Sequence, residues 1–427
     1  MRFLTILFAI LLSVGSNAQS VAEIGAIEAD VDFSKDWTNY QAQKTEYPIA
    51  DIELFGSITE NITLQNTSTY LIKGNVYVEN GATLSIMPGT VIRADKNTKA
   101  ALIITKGSKI KAMGTPSDPI VFTSSESVGG RDAGDWCGII ILGDAPINHI
   151  GGVSKLESDF DHTKMVFGGD DTNSSSGSLK YVRVEFAGAK KDKTQTKAAA
   201  VILAGVGETT QVDYVQVSNS INEGFDFVGG RIMPENLVSY YSKANDFSFT
   251  DGYVGFIKHS LAIRHPLKSD YEGSSAVFVE GHADEDIFDT AKGNTVVQIL
   301  NSTLVKLEAK GLNNPQNAVT LTNGAEFELK ASIVLGFDQG IVDQGDDLLE
   351  RIQEDKVKIQ FCYVATLKDL FVVGSNEDTV QEWFSESKFD NNFYRGKSDW
   401  TVFRNATPKG RIDLRLDHEQ FNAVVGN

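Results

Sequence analysis

The sequence predicts an all-β chain wound as a right-handed parallel β-helix and closed by N- and C-terminal capping segments. Two patterns lead there. From Ile52 onward the chain is a succession of short runs rich in β-branched and aromatic residues, each ended by Gly, Asn or Asp; alternation over a few positions followed by a turn former is the pattern of short strands. In the centre, strand-like runs centred on Val217, Tyr240, Leu261, Phe278, Ile299 and Leu321 follow one another at intervals of 23, 21, 17, 21 and 22 residues. A repeat near 20 residues with one strand cluster per turn marks a solenoid, in which each rung buries its inner face only by stacking on the next. Leucine-rich repeats share the period but need leucines at fixed offsets and a helical segment in each repeat, and neither is present. A β-sandwich calls for shorter, stricter spacing.

Taken in order, residues 1–18 read as a cleaved signal peptide. Met1 and Arg2 form a positive start, an apolar run follows from Phe3 to Val14, and the small residues Ser16 and Ala18 precede a cleavage point before Gln19. The run is too short to cross a bilayer, which needs about 20 residues, and no later stretch is apolar enough to do so. Residues 19–51 form a mixed leader that is expected to cap one end of the solenoid. Residues 52–345 are the β-helix. Within them the dipeptides Asn80-Gly81, Gly229-Gly230 and Asn323-Gly324 are turn makers, because Asn and Gly accept left-handed backbone. Residues 346–427 hold the last rungs and a second cap, with helical patterns at 347–355 and 378–387.

Charge narrows the partners. The chain carries 39 Lys and Arg against 57 Asp and Glu, a net charge of −18. Such a surface repels nucleic-acid phosphates and anionic headgroups, so nucleic acid is not an expected partner, and the want of a long apolar stretch leaves no membrane span expected. With 41% hydrophobic residues the chain can bury a large core and does not need a disulfide framework. Its two cysteines, Cys137 and Cys362, sit in apolar strand-like runs and read as buried thiols.

Several segments resemble a signature of secreted β-helix proteins of Bacteroidota. They are Trp136-Cys137-Gly138-Ile139-Ile140-Ile141-Leu142-Gly143, Ser178-Leu179-Lys180-Tyr181-Val182-Arg183-Val184-Glu185-Phe186, Gly224-Phe225-Asp226-Phe227-Val228-Gly229-Gly230 and Asp251-Gly252-Tyr253-Val254-Gly255. The resemblance runs from about Gly56 to Val342. It implies a pectate-lyase-like solenoid in the cell envelope, with outer-membrane nutrient uptake as a plausible setting. Relatives often carry a C-terminal sorting domain for type IX secretion, and none is evident after Asp413. Two departures stand out: Cys137 replaces an expected Gly, and Asn222-Glu223 replaces an expected Asp pair, which puts an inherited cation site in doubt.

The best candidate site is acidic. Glu223, Asp226, Asn245, Asp246 and Asp251 fall about one rung apart, and rungs stack about 4.8 Å apart, so their oxygens are placed to converge on calcium, which takes six to eight oxygen ligands. The competing reading makes them turn formers. A second polar stretch, 168–177, reads as a mobile loop, and the acidic loop around His282 (Asp284, Glu285, Asp286, Asp289) as solvated, with no second histidine near it in sequence. Polysaccharide lyases and glycoside hydrolases use this architecture, and an enzyme here would draw on Asp226, Asp246, Asp251 and Arg264. The fragments Thr250-Asp251-Gly252 and Gly281-His282 match only part of the polygalacturonase pattern. The middle Asp pair and the closing basic motif are missing, so no catalytic residue is assigned. The expectation is an exported, non-enzymatic protein of the periplasm, outer-membrane surface or extracellular space that binds a glycan or an outer-membrane protein. Its alternatives are a carbohydrate-active enzyme and an accessory subunit of an outer-membrane uptake complex.

Overall fold

The computed structural model describes residues 24–27, 32–156, 159–189, 198–269, 273–308, 314–345, 347–374, 376–407 and 412–425. Residues 1–18, expected as a signal peptide, lie outside the described residues. The described chain is built around a parallel β-helix. Strands from successive rungs pair in register, side by side and in the same direction, through a 24-stranded sheet and a separate four-stranded one. Among the described residues, antiparallel strand pairs occur twice, both outside the coil: Ser154–Lys155 with Val166–Phe167, and Phe403–Asn405 with Asp413–Leu416.

Each rung has three faces. Val238–Tyr240, Leu261–Arg264, Thr303–Lys306, Ile333–Leu335 and Tyr363–Thr366 stack on the first. Gly138–Leu142, Val201–Ala204, Phe225–Val228, Phe247–Thr250, Ser275–Glu280 and Asn317–Thr322 stack on the second. Val254–Lys258, Val296–Leu300, Glu326–Lys330 and Val357–Gln360 stack on the third. The repeat read from the sequence is therefore corrected: a turn holds three strands, not one cluster. Val217, Tyr240 and Leu261 do lie on the first face, but Phe278 and Leu321 lie on the second and Ile299 on the third. Spacings near 20 mixed the faces, because loops at the corners vary the rung length. Phe225 pairs with Phe247, Phe247 with Val277 and Val277 with Val319, intervals of 22, 30 and 42 positions.

Alternation sorts the side chains. In Phe225–Val228 and Phe247–Thr250 the phenylalanines point inward and stack, Phe225 on Phe247 at 5.6 Å and Phe227 on Phe249 at 4.7 Å between ring centres, while Asp226, Ser248 and Thr250 face out. Offset ring stacking adds to what burial alone contributes. Tyr253 closes the ladder, fully buried. The corner from third to first face is made the same way rung after rung. Tyr181, Tyr214, Asn236, His259, Asn301, Ala331, Phe361 and Asp390 all have φ between 42° and 58°. Just after this corner Ser260, Ser302 and Ser332 form a ladder. Ser302 Oγ accepts from Ser260 N, Ser332 Oγ accepts from Ser302 N, and each hydroxyl donates to the carbonyl two residues back. Cys362 continues the ladder, its thiol donating to Gln360 O. Both cysteines are free and buried, and burial pushes the Cys137 thiol up to about 11 and the Cys362 thiol up to about 12. The turn dipeptides Asn80-Gly81, Gly229-Gly230 and Asn323-Gly324 all sit in left-handed backbone. A side chain at Gly229 would also strike Ile147, whose Cγ2 lies 2.4 Å from where its Cβ would be.

The described part of the leader runs along the first face, against the direction of the rungs, rather than over an end of the coil. Gly25 N donates to Ala331 O, Asn39 exchanges hydrogen bonds with Gln216, and the backbone at Ala42, Thr45 and Pro48 receives Arg131 and Arg93. Trp37 is buried there beside Tyr181 and Tyr214. Helix α1 (Leu348–Gln353) and helix α2 (Glu377–Phe384) close the last rungs, with Leu348, Ile352, Val380 and Phe384 entering the core. Helix α3 (His418–Val425) sets Phe421 on Tyr363. No described helix is long and apolar enough to cross a membrane.

Candidate functional site

The second face changes character along the coil. On the early rungs its outer side is apolar (Ile103, Ile140, Leu142, Ile202, Ala204) and covered by the segment that carries Ile147, Phe160, Met165 and Phe167. On the later rungs the outward positions turn mostly polar: Asp226, Ser248 and Thr250, then Glu280, with Phe278 the apolar one among them. Where the cover stops, a groove of about 410 Å³ opens, within the usual range for a ligand site. Its floor is the outward row Ile202, Asp226, Ser248 and Phe278, one residue per rung. Leu156 and Phe160 form one wall. Asn222, Glu223 and Asn245 stand at the corner where the chain enters the second face, and Thr250 and Glu280 lie two residues further along their strands. The groove thus combines three carboxylates, two amides, two hydroxyls and two phenylalanines.

The five residues expected to share calcium are divided by the fold. Glu223, Asp226 and Asn245 line the groove, and Asn245 Oδ1 accepts from Ser275 N at 2.9 Å. Asp246 turns the other way. Its side chain is fully buried, 2.6 Å from Ser239 Oγ and 2.7 Å from Arg264. Burial pushes its carboxyl above the usual range, against the pull of Arg264. Asp251 sits at the next corner, with φ 52°, 3.1 Å from His149 Nε2. Among the described residues, no three His, Cys, Asp or Glu side chains are grouped as a metal ion requires. The cause is pleat and corner geometry: residues one position apart at a rung corner leave on different sides of the sheet.

The residues considered for an enzyme are divided likewise. Arg264 has no exposure, so it cannot meet a polysaccharide. Its guanidinium is consumed by Asp246, Gln316 Oε1 at 2.6 Å, Ser275 O and Ser274 Oγ. One rung on, Lys306 takes the equivalent inward position and pairs with Asp338, which also accepts from Gln316 N. These charges form a buried polar spine at the corner between first and second faces.

Two loop expectations are revised. The stretch 168–177 is fastened: Gly168 N donates to Gly143 O, Asp171 N to Asp144 O, and Lys106 reaches both Gly168 O and Asp144. The acidic loop at 281–289 does meet a second histidine, His149, whose backbone bridges to Phe288 while His282 stacks on Phe288 at 4.3 Å. The His149 contact crosses 139 positions of sequence and Lys106 lies 62 positions before Gly168, so no local spacing announces them.

Sequence reasoning missed Glu280, Phe278, Phe160 and Asn222 as groove residues. For Phe278 and Glu280 the available signal was the outward position on their second-face strand, readable once three strands are assigned to a rung; Phe160 and Asn222, which lie in no strand, carried none. Residues 56–402 match the family described as the pectate-lyase-like beta helix domain. The chain belongs to that family. No curated protein matches the chain. The match spans every rung described above, and a pectate-lyase-like beta helix domain fits a carbohydrate-related protein.

Proposed function

We propose that this pectate-lyase-like β-helix is an exported envelope or extracellular protein that binds a glycan in the second-face groove without cleaving it. The observation that carries the reading is the groove's composition. Carboxylates Glu223, Asp226 and Glu280 and the amides Asn222 and Asn245 are groups that hydrogen-bond sugar hydroxyls, and Phe160 and Phe278 offer apolar ring faces beside them. Concave sites with a few convergent polar groups on a largely apolar lining are the usual form of small-ligand sites. The rungs present one outward residue every ~4.8 Å, a spacing suited to successive sugar units. Export rests on the sequence of residues 1–18.

The test is a panel of soluble neutral, amino and acidic oligosaccharides, with thermal shift as the readout. A glycan at a hundred times its dissociation constant stabilises the fold by about 2.7 kcal/mol. At least one class is expected to raise the melting temperature of the wild type and to lose that effect with D226A/E280A. If every class leaves the wild type unmoved, glycan binding is rejected. A second reading, hydrolysis, draws on the same carboxylates. Release of reducing ends from the bound glycan, abolished by D226N, would replace the non-enzymatic reading with that one.

A further inference from the structure

The two ends of the coil are finished differently. At the C-terminal end α1 and α2 push Leu348, Ile352, Val380 and Phe384 into the core. At the other end the first rung is bare. Its strand Ile52–Ile58 pairs with Thr69–Val78 and its strand Ile62–Leu64 with Thr83–Ile86, and among the described residues no strand pairs with their outer edges. Leu54, Ile58 and Ile62 pack on the core but stay only partly buried, because a rung covers them from one side alone. Ile52 is 41% exposed and Phe55 72%. An unpaired strand edge is a template for another strand, and a solenoid end without a polar cap leaves core in contact with water. The described stretches near either terminus lie elsewhere: Gly25 sits against Ala331 and Phe421 against Tyr363, on rungs close to the opposite end.

We propose that this end docks on the same end of a second copy of the chain, with Ile52–Ile58 pairing antiparallel to its counterpart about a two-fold axis at Phe55. The strand is its own complement in that register. Phe55 alone makes the corner between first and second faces, where the next rung spends residues 73–75, and three residues lie on either side of it. Ile52 then falls opposite Ile58 of the second copy and Leu54 opposite Gly56, so core-facing positions meet core-facing positions. Glu53, paired with Lys73 at 3.3 Å, falls opposite Ser57, Asp51 opposite Thr59 and Glu60 opposite Ala50. No carboxylate directly faces another, in a chain whose net charge is −18; like charges placed opposite each other would resist pairing. Phe55 meets Phe55 of the second copy, and rings stacked at rung spacing are what the coil already uses for Phe227 and Phe249. A two-fold contact of this kind closes at two copies. The helices over the far end keep the pairing from continuing into a filament.

The test is sedimentation velocity of the chain and of F55D, which puts a carboxylate opposite its own copy. Phe55 is largely exposed, so the variant is expected to keep the circular dichroism spectrum of the wild type. The wild type is expected to sediment as a dimer, and F55D as a monomer or as a dimer weakened about ten-fold or more. A wild type that stays monomeric throughout the micromolar range overturns the proposal; protection of residues 52–58 from hydrogen exchange in that monomer would assign the edge to another part of the same chain. A dimer that F55D leaves as tight as before overturns it as well, by placing the contact on another surface. The register is tested by F55C. A two-fold axis sets this residue beside itself, so oxidation is expected to link F55C into a disulfide dimer, while S57C, which faces Glu53, stays unlinked. Cys137 and Cys362 are buried and do not compete. A dimeric chain in which S57C links and F55C does not overturns the pairing about Phe55.

Discussion

Asp246 and Arg264 looked like site residues in the sequence because an acid and a base stood one rung apart in an acidic stretch. Their actual role is set by which way each side chain leaves its strand. Arg264 follows Leu261, Ala262 and Ile263 in strict alternation, so it must point inward; a guanidinium held inside a coil needs a carboxylate, and Asp246 supplies it. Removing one partner of such a pair leaves an uncompensated buried charge and costs about 3–5 kcal/mol. R264M is expected to lose stability on that scale in urea denaturation, and D246L/R264M to recover much of it. A double variant no more stable than the single one would mean that the charges matter separately. Glu185 makes a second case. It is 1% exposed on the outer side of the first face, where Tyr47 and Thr123 donate to it at 2.8 and 2.9 Å. Burial raises its pKa. An acid whose folded pKa lies above its unfolded value, near 4.3, binds more protons folded than unfolded, so its contribution to stability falls as pH rises above that value. E185Q is therefore expected to match the wild type near pH 4 and to melt higher than the wild type at pH 8. A constant gap across that range would remove the ionisation from the account.

At the scale of elements, the legible features were local and the illegible ones were not. Asn80-Gly81, Gly229-Gly230 and Asn323-Gly324 were readable as turns because their backbone preference is carried by the residues themselves. The corner from third to first face was not, since Tyr181, Ala331 and Phe361 hold left-handed backbone against their own preference, kept there by the stacked rungs on either side. The serine ladder that follows this corner is the repeat's clearest signature, a Ser one residue after the left-handed position at 260, 302 and 332. It escapes a search for hydrophobic period because serine has none. Ser302 both accepts from the rung before and donates to Leu300 O, so S302A is expected to cost about 1–3 kcal/mol by leaving buried groups unpaired. Urea denaturation of S302A with a midpoint equal to the wild type would reduce the ladder to a by-product of packing. The groove was half legible for a related reason. Glu223 and Asp226 share a rung and Asn245 stands on the next, so the three could be read together. Phe160 and Glu280 reach the same place from 66 positions before and 54 after Asp226, a juxtaposition that only the coil creates.

Across the whole molecule, the three faces differ in what covers them. The first is sealed lengthwise by the leader and by the C-terminal segment, which together bury Val238, Leu261, Ile263, Leu335 and Tyr363. The second is covered on its early rungs and open on its later ones, and the polar groove starts where the cover ends. Coil, covering and groove are consistent with a stiff scaffold holding one site in fixed geometry, which limits the ordering cost of binding. The acidic balance of the chain agrees with the groove's carboxylates. The central claim, that the second-face groove is the glycan site, is tested most directly by a crystal structure of the chain with an oligosaccharide selected from the panel. The expected result is sugar density on the rungs from Val201–Ala204 to Ser275–Glu280, within hydrogen-bonding distance of Asp226 and packed on Phe160 or Phe278. Sugar density on the third face, or at the rung ends with the groove empty, would contradict it.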